Sequence, residues 1–279
     1  MILGINGIIA GKGVAPFVGL LDTYTGATGA YSLRKLRTAY TGNCIRVRRS
    51  SDNTSLDIGF LNNELDTTSL LSFVGSNSGY VSIWYDQSGN GYNLIQNTSS
   101  NQPSIILSGV INSQNGKPVL ITDFYSFMFN DTLPLNGTTN SIFATVKMVV
   151  TRGNFAMMSG YTIAYNQHFL SREGVGYHRY YDSLSNINAY PLPNGYNLIN
   201  IHENSSGVTV YENGANLVSN YTHDTNNSTG IVIFRRAPAD TTYMPNGSGF
   251  SELIVYGNTS KLSDNTGISN NINTYYTIY

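Results

Sequence analysis

Hydrolysis of a glycosidic bond needs two carboxyl groups facing across it, about 5 to 9 Å apart. The chain has 279 residues and 16 acidic side chains. Asp86, Asp123, Glu173, Asp182, Glu203, Glu212, Asp240 and Glu252 are the candidates for such a pair. No two of them sit in a diagnostic motif, so spacing alone assigns no catalytic residue. Asp86-Gln87-Ser88-Gly89-Asn90-Gly91 sets oxygen donors at alternate positions before a glycine, as a calcium loop does. It lacks the later glutamate of a helix-loop-helix site, and a turn in which Asp86 and Ser88 bond their own backbone explains it as well. Trp84, Tyr85 and Tyr92 bracket this loop. Rings at a loop mouth stack on sugar faces, and Asp86 could fix hydroxyls there. Core packing is the plainer reading of Trp84. Tyr177, Arg179 and Tyr181 share one face of the run Tyr177-His178-Arg179-Tyr180-Tyr181-Asp182. That stripe is either a docking surface or an ordinary exposed strand. The carbohydrate-binding candidates are therefore Tyr85, Asp86, Tyr92, Tyr177, Arg179 and Tyr181.

Other chemistries find less support. His168, His178, His202 and His223 lack metal-site spacing, and no Gly-x-Ser-x-Gly elbow occurs. Cys44 is the single cysteine, which excludes an intrachain disulfide. It reads as a small buried strand residue. No metal or other cofactor is expected.

Short strands and turns must position these residues. Ile45 and Val47 alternate with Arg46 and Arg48, and Leu56 to Phe60 reads as the returning strand. Tyr80 to Tyr85, Ser141 to Val150, Val208 to Tyr211, Ile231 to Phe234 and Phe250 to Tyr256 are further strands. Asn194-Gly195, Asn213-Gly214 and Asn246-Gly247 are tight-turn signals. Helices are expected in three places: at Ala30 to Leu36, where Leu33 and Leu36 are three apart; at Asp66 to Val74, capped by Asp66; and at Asn265 to Tyr279. Two packed antiparallel sheets suit this pattern.

Composition agrees. Charged residues are only 11% of the chain, and 21 tyrosines share the polar load with Asn, Ser and Thr. A formal net charge of -1 provides no basic field for nucleic acid. Arg46, Arg48 and Arg49 read as a solvated strand face. No stretch has the length of a membrane helix, and Met1 to Leu21 lacks the basic start of a signal peptide, so folding in a cytosol is expected. Residues Met1 to Val18 alternate small residues with Ile, Leu and Val. They form either an edge or disordered segment, or an arm that orders against a partner, with Ile2, Leu3, Ile5, Ile8 and Ile9 as its contacts.

Two segments carry a resemblance. The first is Ala30 to Gln96, with AYSLRKL, CIRVRRSSDN, DIGF, ELDTTSLLSFVG and VSIWYDQSGNGYNL; the second is the ending GFSELIVYGNTSKLSDNTGISNNINTYY. Together they resemble phage structural proteins, often of phages of gut Bacteroidetes, that carry a concanavalin A-like or laminin-G-like domain. The first segment is also similar to part of the catalytic domain of α-L-arabinofuranosidase B. That enzyme family carries several disulfides, which this chain cannot form.

The resemblance implies an all-β, concanavalin A-like jelly-roll β-sandwich over residues 21–279, preceded by an attachment arm over 1–20. The function it implies is a virion structural protein of head or tail, assembled in the host cytoplasm. Such a protein would join other virion proteins through the arm, form a homo-oligomer and present its sandwich to a host-surface glycan. Neither nucleic acid nor membrane insertion is expected. The alternative is an arabinofuranosidase-like glycoside hydrolase.

Overall fold

A computed structural model describes residues 16–135, 139–149, 155–160, 167–173, 177–182, 186–189, 195–221, 228–235 and 243–279; between 161 and 194 it gives the backbone of the strands only. The expected arm residues Ile2, Leu3, Ile5, Ile8 and Ile9 lie outside the described residues. The boundary expected after residue 20 falls inside the short helix α1 (Leu20–Thr23), whose Leu20 and Leu21 are both buried.

Strands follow in chain order. The first part holds β1 (Gly29–Ser32), β2 (Ile45–Arg49), β3 (Ser55–Ile58), β4 (Phe60–Leu61) and β5 (Glu64–Leu65), then α2 (Thr67–Val74). Next come β6 (Gly79–Trp84), β7 (Leu94–Ile95), β8 (Ser104–Leu107), β9 (Val110–Ile111), β10 (Ser113–Gln114), β11 (Lys117–Pro118), β12 (Leu120–Ile121) and β13 (Met128–Leu135). The second half holds β14 (Asn140–Met148), β15 (Phe155–Gly160), β16 (Gln167–Glu173), β17 (Tyr177–Asp182), β18 (Asn186–Ala189), β19 (Gly195–Asn204), β20 (Gly207–Glu212), β21 (Ala215–Tyr221), β22 (Ser228–Ile233) and β23 (Gly249–Gly257). Helix α3 (Asn265–Tyr276) follows.

All of the pairings are antiparallel. One layer runs β3-β2-β6-β7-β13-β22-β15-β16-β17-β18. The other runs β23-β14-β19-β20-β21, with β1 and β12 along the outer side of β23. Strand β8 pairs with both β6 and β12 and so joins the layers. The all-β, sandwich-like architecture matches the alternation in the sequence.

The second layer is buried on both sides. Its inner side chains, among them Ile142, Ala144, Val146, Ile199, Ile201, Val208 and Val210, pack into the core between the layers. Its outer side chains Phe143, Tyr196, Leu198, Ile254 and Tyr256 pack beneath α1 and α3, where Ile268 and Ile272 meet them. Strands β14 and β23 are therefore buried nearly throughout.

Helix α2 starts where expected: Asp66 Oδ1 accepts from Ser69 N at 3.0 Å. The helix expected at Ala30 to Leu36 is corrected. Ala30 and Tyr31 pair with Ile254 and Leu253 as part of β1, and Gln87 holds the rest of the segment extended. The Gln87 amide accepts from Leu36 N at 2.8 Å and donates to Ser32 O and Arg34 O at 2.9 and 3.0 Å. Those three backbone groups would be tied up within a helix; satisfied from outside, they need none.

Candidate active-site cleft

The loop nominated by the sequence is structural. Trp84 is fully buried and packs against Tyr31 at 6.1 Å. Asp86 is 4% exposed, and its oxygens are filled by four donors. Oδ1 accepts from Ala30 N and Ser88 N at 2.8 Å each; Oδ2 accepts from Ser88 Oγ at 2.7 Å and Tyr92 N at 3.1 Å. The carboxylate thus closes its own turn and clamps β1 to it, which corrects its place among the sugar-binding candidates and leaves no face for calcium. Tyr85 is half-buried, and its hydroxyl donates to Asp57 Oδ1 at 2.7 Å. Burial, with that bond, pushes the phenol up to about 12. Tyr92 is half-buried at the rim of a surface cleft. Cys44 is buried with its thiol raised by burial, and Sγ donates to Ser32 O at 3.2 Å.

Two polar clusters lie under α3. Glu252, fully buried, is held by Arg34 at two points and by Ser32 Oγ. In the other cluster, Ser141 Oγ contacts His202 Nδ1 at 2.9 Å, and His202 Nε2 contacts Asn265 Oδ1 at 2.9 Å. Asn265 Oδ1 also accepts from Asn200 Nδ2, so the His202 proton sits on Nε2 and Nδ1 accepts from Ser141. The order mimics a nucleophile relay. Ser141 and His202 are both fully buried, however, so the hydroxyl meets no substrate.

Glu212 is different. It ends β20, alternates with Val208 and Val210 on the inner face, and lies opposite Ile199. It is 7% exposed, and among the described residues no hydrogen bond or ion pair engages it. Burial pushes its carboxyl up to about 7. A protonated acid at neutral pH is the property a general acid needs.

Register places the backbone of a second acidic residue, Glu173, in the facing layer. Strand β23 starts at Gly249, opposite Lys147, and ends at Gly257, opposite Asn140. Glu212 lies between the two: it pairs with Ile199, Ile199 with Ala144, and Ala144 with Leu253, four residues in from the Gly249 end. In the facing layer the ring of Phe234, just past β22, meets Phe250 at 5.1 Å, so Ile233 is at the Gly249 end. Ile233 pairs with Met158, and Phe155, three residues before it, pairs with Arg172, which brings Glu173 to the same end, opposite Tyr177. Strand β17, with Tyr177, Arg179 and Tyr181, runs between β16 and β18, and β18 comes alongside β21 where the two layers meet. The side chains of that stripe lie outside the described residues.

Neither Glu173 nor Glu212 stood out in the sequence. Both were among eight acidic candidates, and only the burial of Glu212 and the strand register of Glu173 set them apart.

Comparison with known proteins bears on this geometry. The model of the α-L-arabinofuranosidase B catalytic domain matches residues 22–158. Among solved structures, an arabinofuranosidase complexed with arabinofuranosyl-α-1,2-xylobiose is similar at a TM-score of 0.72 with 16% identity, over 91% of this chain and 64% of that one. A GH54 α-L-arabinofuranosidase soaked with a cyclic sulfate inhibitor is similar at 0.71 with 16% identity, over 91% of this chain and 65% of that one. This chain thus spans a little under two thirds of those proteins. No curated protein sequence matches it. The shared fold is that of arabinofuranosidases. The expected virion, phage and fibre role is therefore corrected: the family match and the fold both favour the glycosidase alternative.

Proposed function

We propose that this chain is the catalytic β-sandwich of an arabinofuranosidase-like glycoside hydrolase, of the concanavalin A-like jelly-roll kind, with Glu212 and Glu173 as its carboxyl pair. The observation that carries this reading is the arabinofuranosidase B match over residues 22–158. The buried, unpartnered Glu212 supports it from the chemistry.

Glu212 donates its proton to the leaving glycosidic oxygen, a task suited to a carboxyl still protonated near neutral pH. Glu173 supplies the second carboxyl group, acting on the sugar carbon directly or through a water; their separation decides which. Tyr177, Arg179 and Tyr181, on the strand next to Glu173, contact the sugar. The arabinosyl group is the substrate class proposed, by analogy of fold.

The test is release of arabinose from an arabinofuranosyl-substituted xylo-oligosaccharide by the purified chain. Turnover supports the reading. Absence of turnover by well-folded protein, on this substrate and on 4-nitrophenyl α-L-arabinofuranoside, overturns it.

A further inference from the structure

At the Gly257 end of β23, a surface cleft of about 650 Å³ opens beside the Asp86 loop. Thr28 on its wall meets Gly257, the far end of β23. Leu253, level with Glu212, is four residues from Gly257 along β23, about 13 Å, and Glu212 lies three strands across the sheet from it. It is a second place on the molecule.

The walls are tied down. Asn90 Nδ2 donates to Ala27 O and Thr28 O at 3.1 and 3.0 Å, and Ser88 Oγ donates to Thr28 O at 3.1 Å. Arg37 Nη1 donates to Ser88 O at 2.6 Å, which fixes the guanidinium against the loop. Gly89 makes room for it: φ is +96°, and a Cβ there would stand 2.8 Å from Arg37 Nη1.

The groups facing the cleft still have bonding capacity. Among the described residues, Arg37 Nε and Nη2, Thr25 Oγ1, Asn90 Oδ1 and the Tyr92 hydroxyl have no partner. Arg37 is, among the described residues, the one charged residue in the lining. Asp22 shares its charge with Arg37 at a distance, but the oxygens of the nearby carboxylates accept from other groups. Asp22 accepts from Gly19 N and from the amide and hydroxyl of Thr38, and Asp86 is filled as described. A planar guanidinium with two spare donors fits a carboxylate. The hydroxyl, carboxamide and tyrosine ring around it fit a sugar's hydroxyls and face.

We propose that this cleft binds a uronate, a sugar residue that carries a carboxylate, with Arg37 on the carboxylate and Thr25, Asn90 and Tyr92 on the ring. The site stands on its own geometry and does not depend on the chain being a hydrolase.

The test is titration of the full chain by protein-observed NMR with D-glucuronate, D-glucose and acetate. Glucuronate is expected to bind at least about tenfold more tightly than glucose or acetate, with shifts at Gly26, Gly89 and Tyr92. Arg37→Gln is expected to bring glucuronate down to the level of glucose. Tyr92→Phe, which removes one oxygen and keeps the packing, is expected to weaken it severalfold. Equal binding of glucose and glucuronate overturns the carboxylate assignment. No binding of any probe, or binding that neither variant changes, overturns the site.

Discussion

Arg34 and Glu252 form a two-point ion pair beneath α3, Nε to Oε2 at 2.8 Å and Nη2 to Oε1 at 3.0 Å. Glu252 is fully buried, and the Arg34 side chain is 11% exposed. The pair joins the segment after β1 to the middle of β23, 218 residues away. Removing one partner strands the other in a low-dielectric interior. Glu252→Gln is expected to cost about 3 to 5 kcal/mol of stability, read as a lowered midpoint in urea. A loss under about 1 kcal/mol would contradict the structural role.

Asp86 is predicted to hold the fold rather than a ligand. Asp86→Ala strands the amides of Ala30, Ser88 and Tyr92. Roughly 3 kcal/mol of stability should be lost, with early hydrogen exchange at those amides. Added calcium should leave the wild-type melting temperature unchanged; a rise of several degrees would give Asp86 a ligand role after all.

Two buried groups set opposite pH limits on stability. Burial lowers His202 from its ordinary 6.5, so the unfolded chain binds the proton more readily. Stability from this group is full above about 6.5 and falls as pH drops below that toward the folded value. Burial raises Glu212 from 4.5 to about 7. Its share is full below 4.5 and is lost as pH rises through about 7. Glu212→Gln is expected to flatten the alkaline limb and leave the acid limb in place. Denaturant unfolding from pH 5 to 9 checks both; an unchanged alkaline limb in the variant would contradict the Glu212 assignment.

Strand positions were readable because Ile45 and Val47 alternate with arginines, and because Asp66, Asn213 and Gly214 carry cap and turn chemistry that acts locally. Ala30 to Leu36 misled for a tertiary reason: the Leu33–Leu36 spacing suits a helix, but the Gln87 amide and the pairing with β23 decide otherwise. The WYDQSG run was visible as a motif. Its chemistry turned inward, with Trp84 in the core and Asp86 and Gln87 bonded to backbone. Glu212 was hidden because it reads as the polar end of a hairpin strand; its burial depends on two layers closing over it. Glu173 is placed only by the register of β15, β16 and β22.

The most direct test of the central claim compares two substrates that differ in leaving group. One is 4-nitrophenyl α-L-arabinofuranoside, whose phenol leaves with little help. The other is an arabinofuranosyl-xylobiose, whose sugar hydroxyl needs a proton as it departs. With Glu212 as general acid, Glu212→Gln should lower kcat about a hundredfold or more on the oligosaccharide and far less on the phenyl glycoside. Glu173→Gln should lower both alike. Equal activity of Glu212→Gln and wild type on the oligosaccharide would contradict the assignment of Glu212 as the general acid.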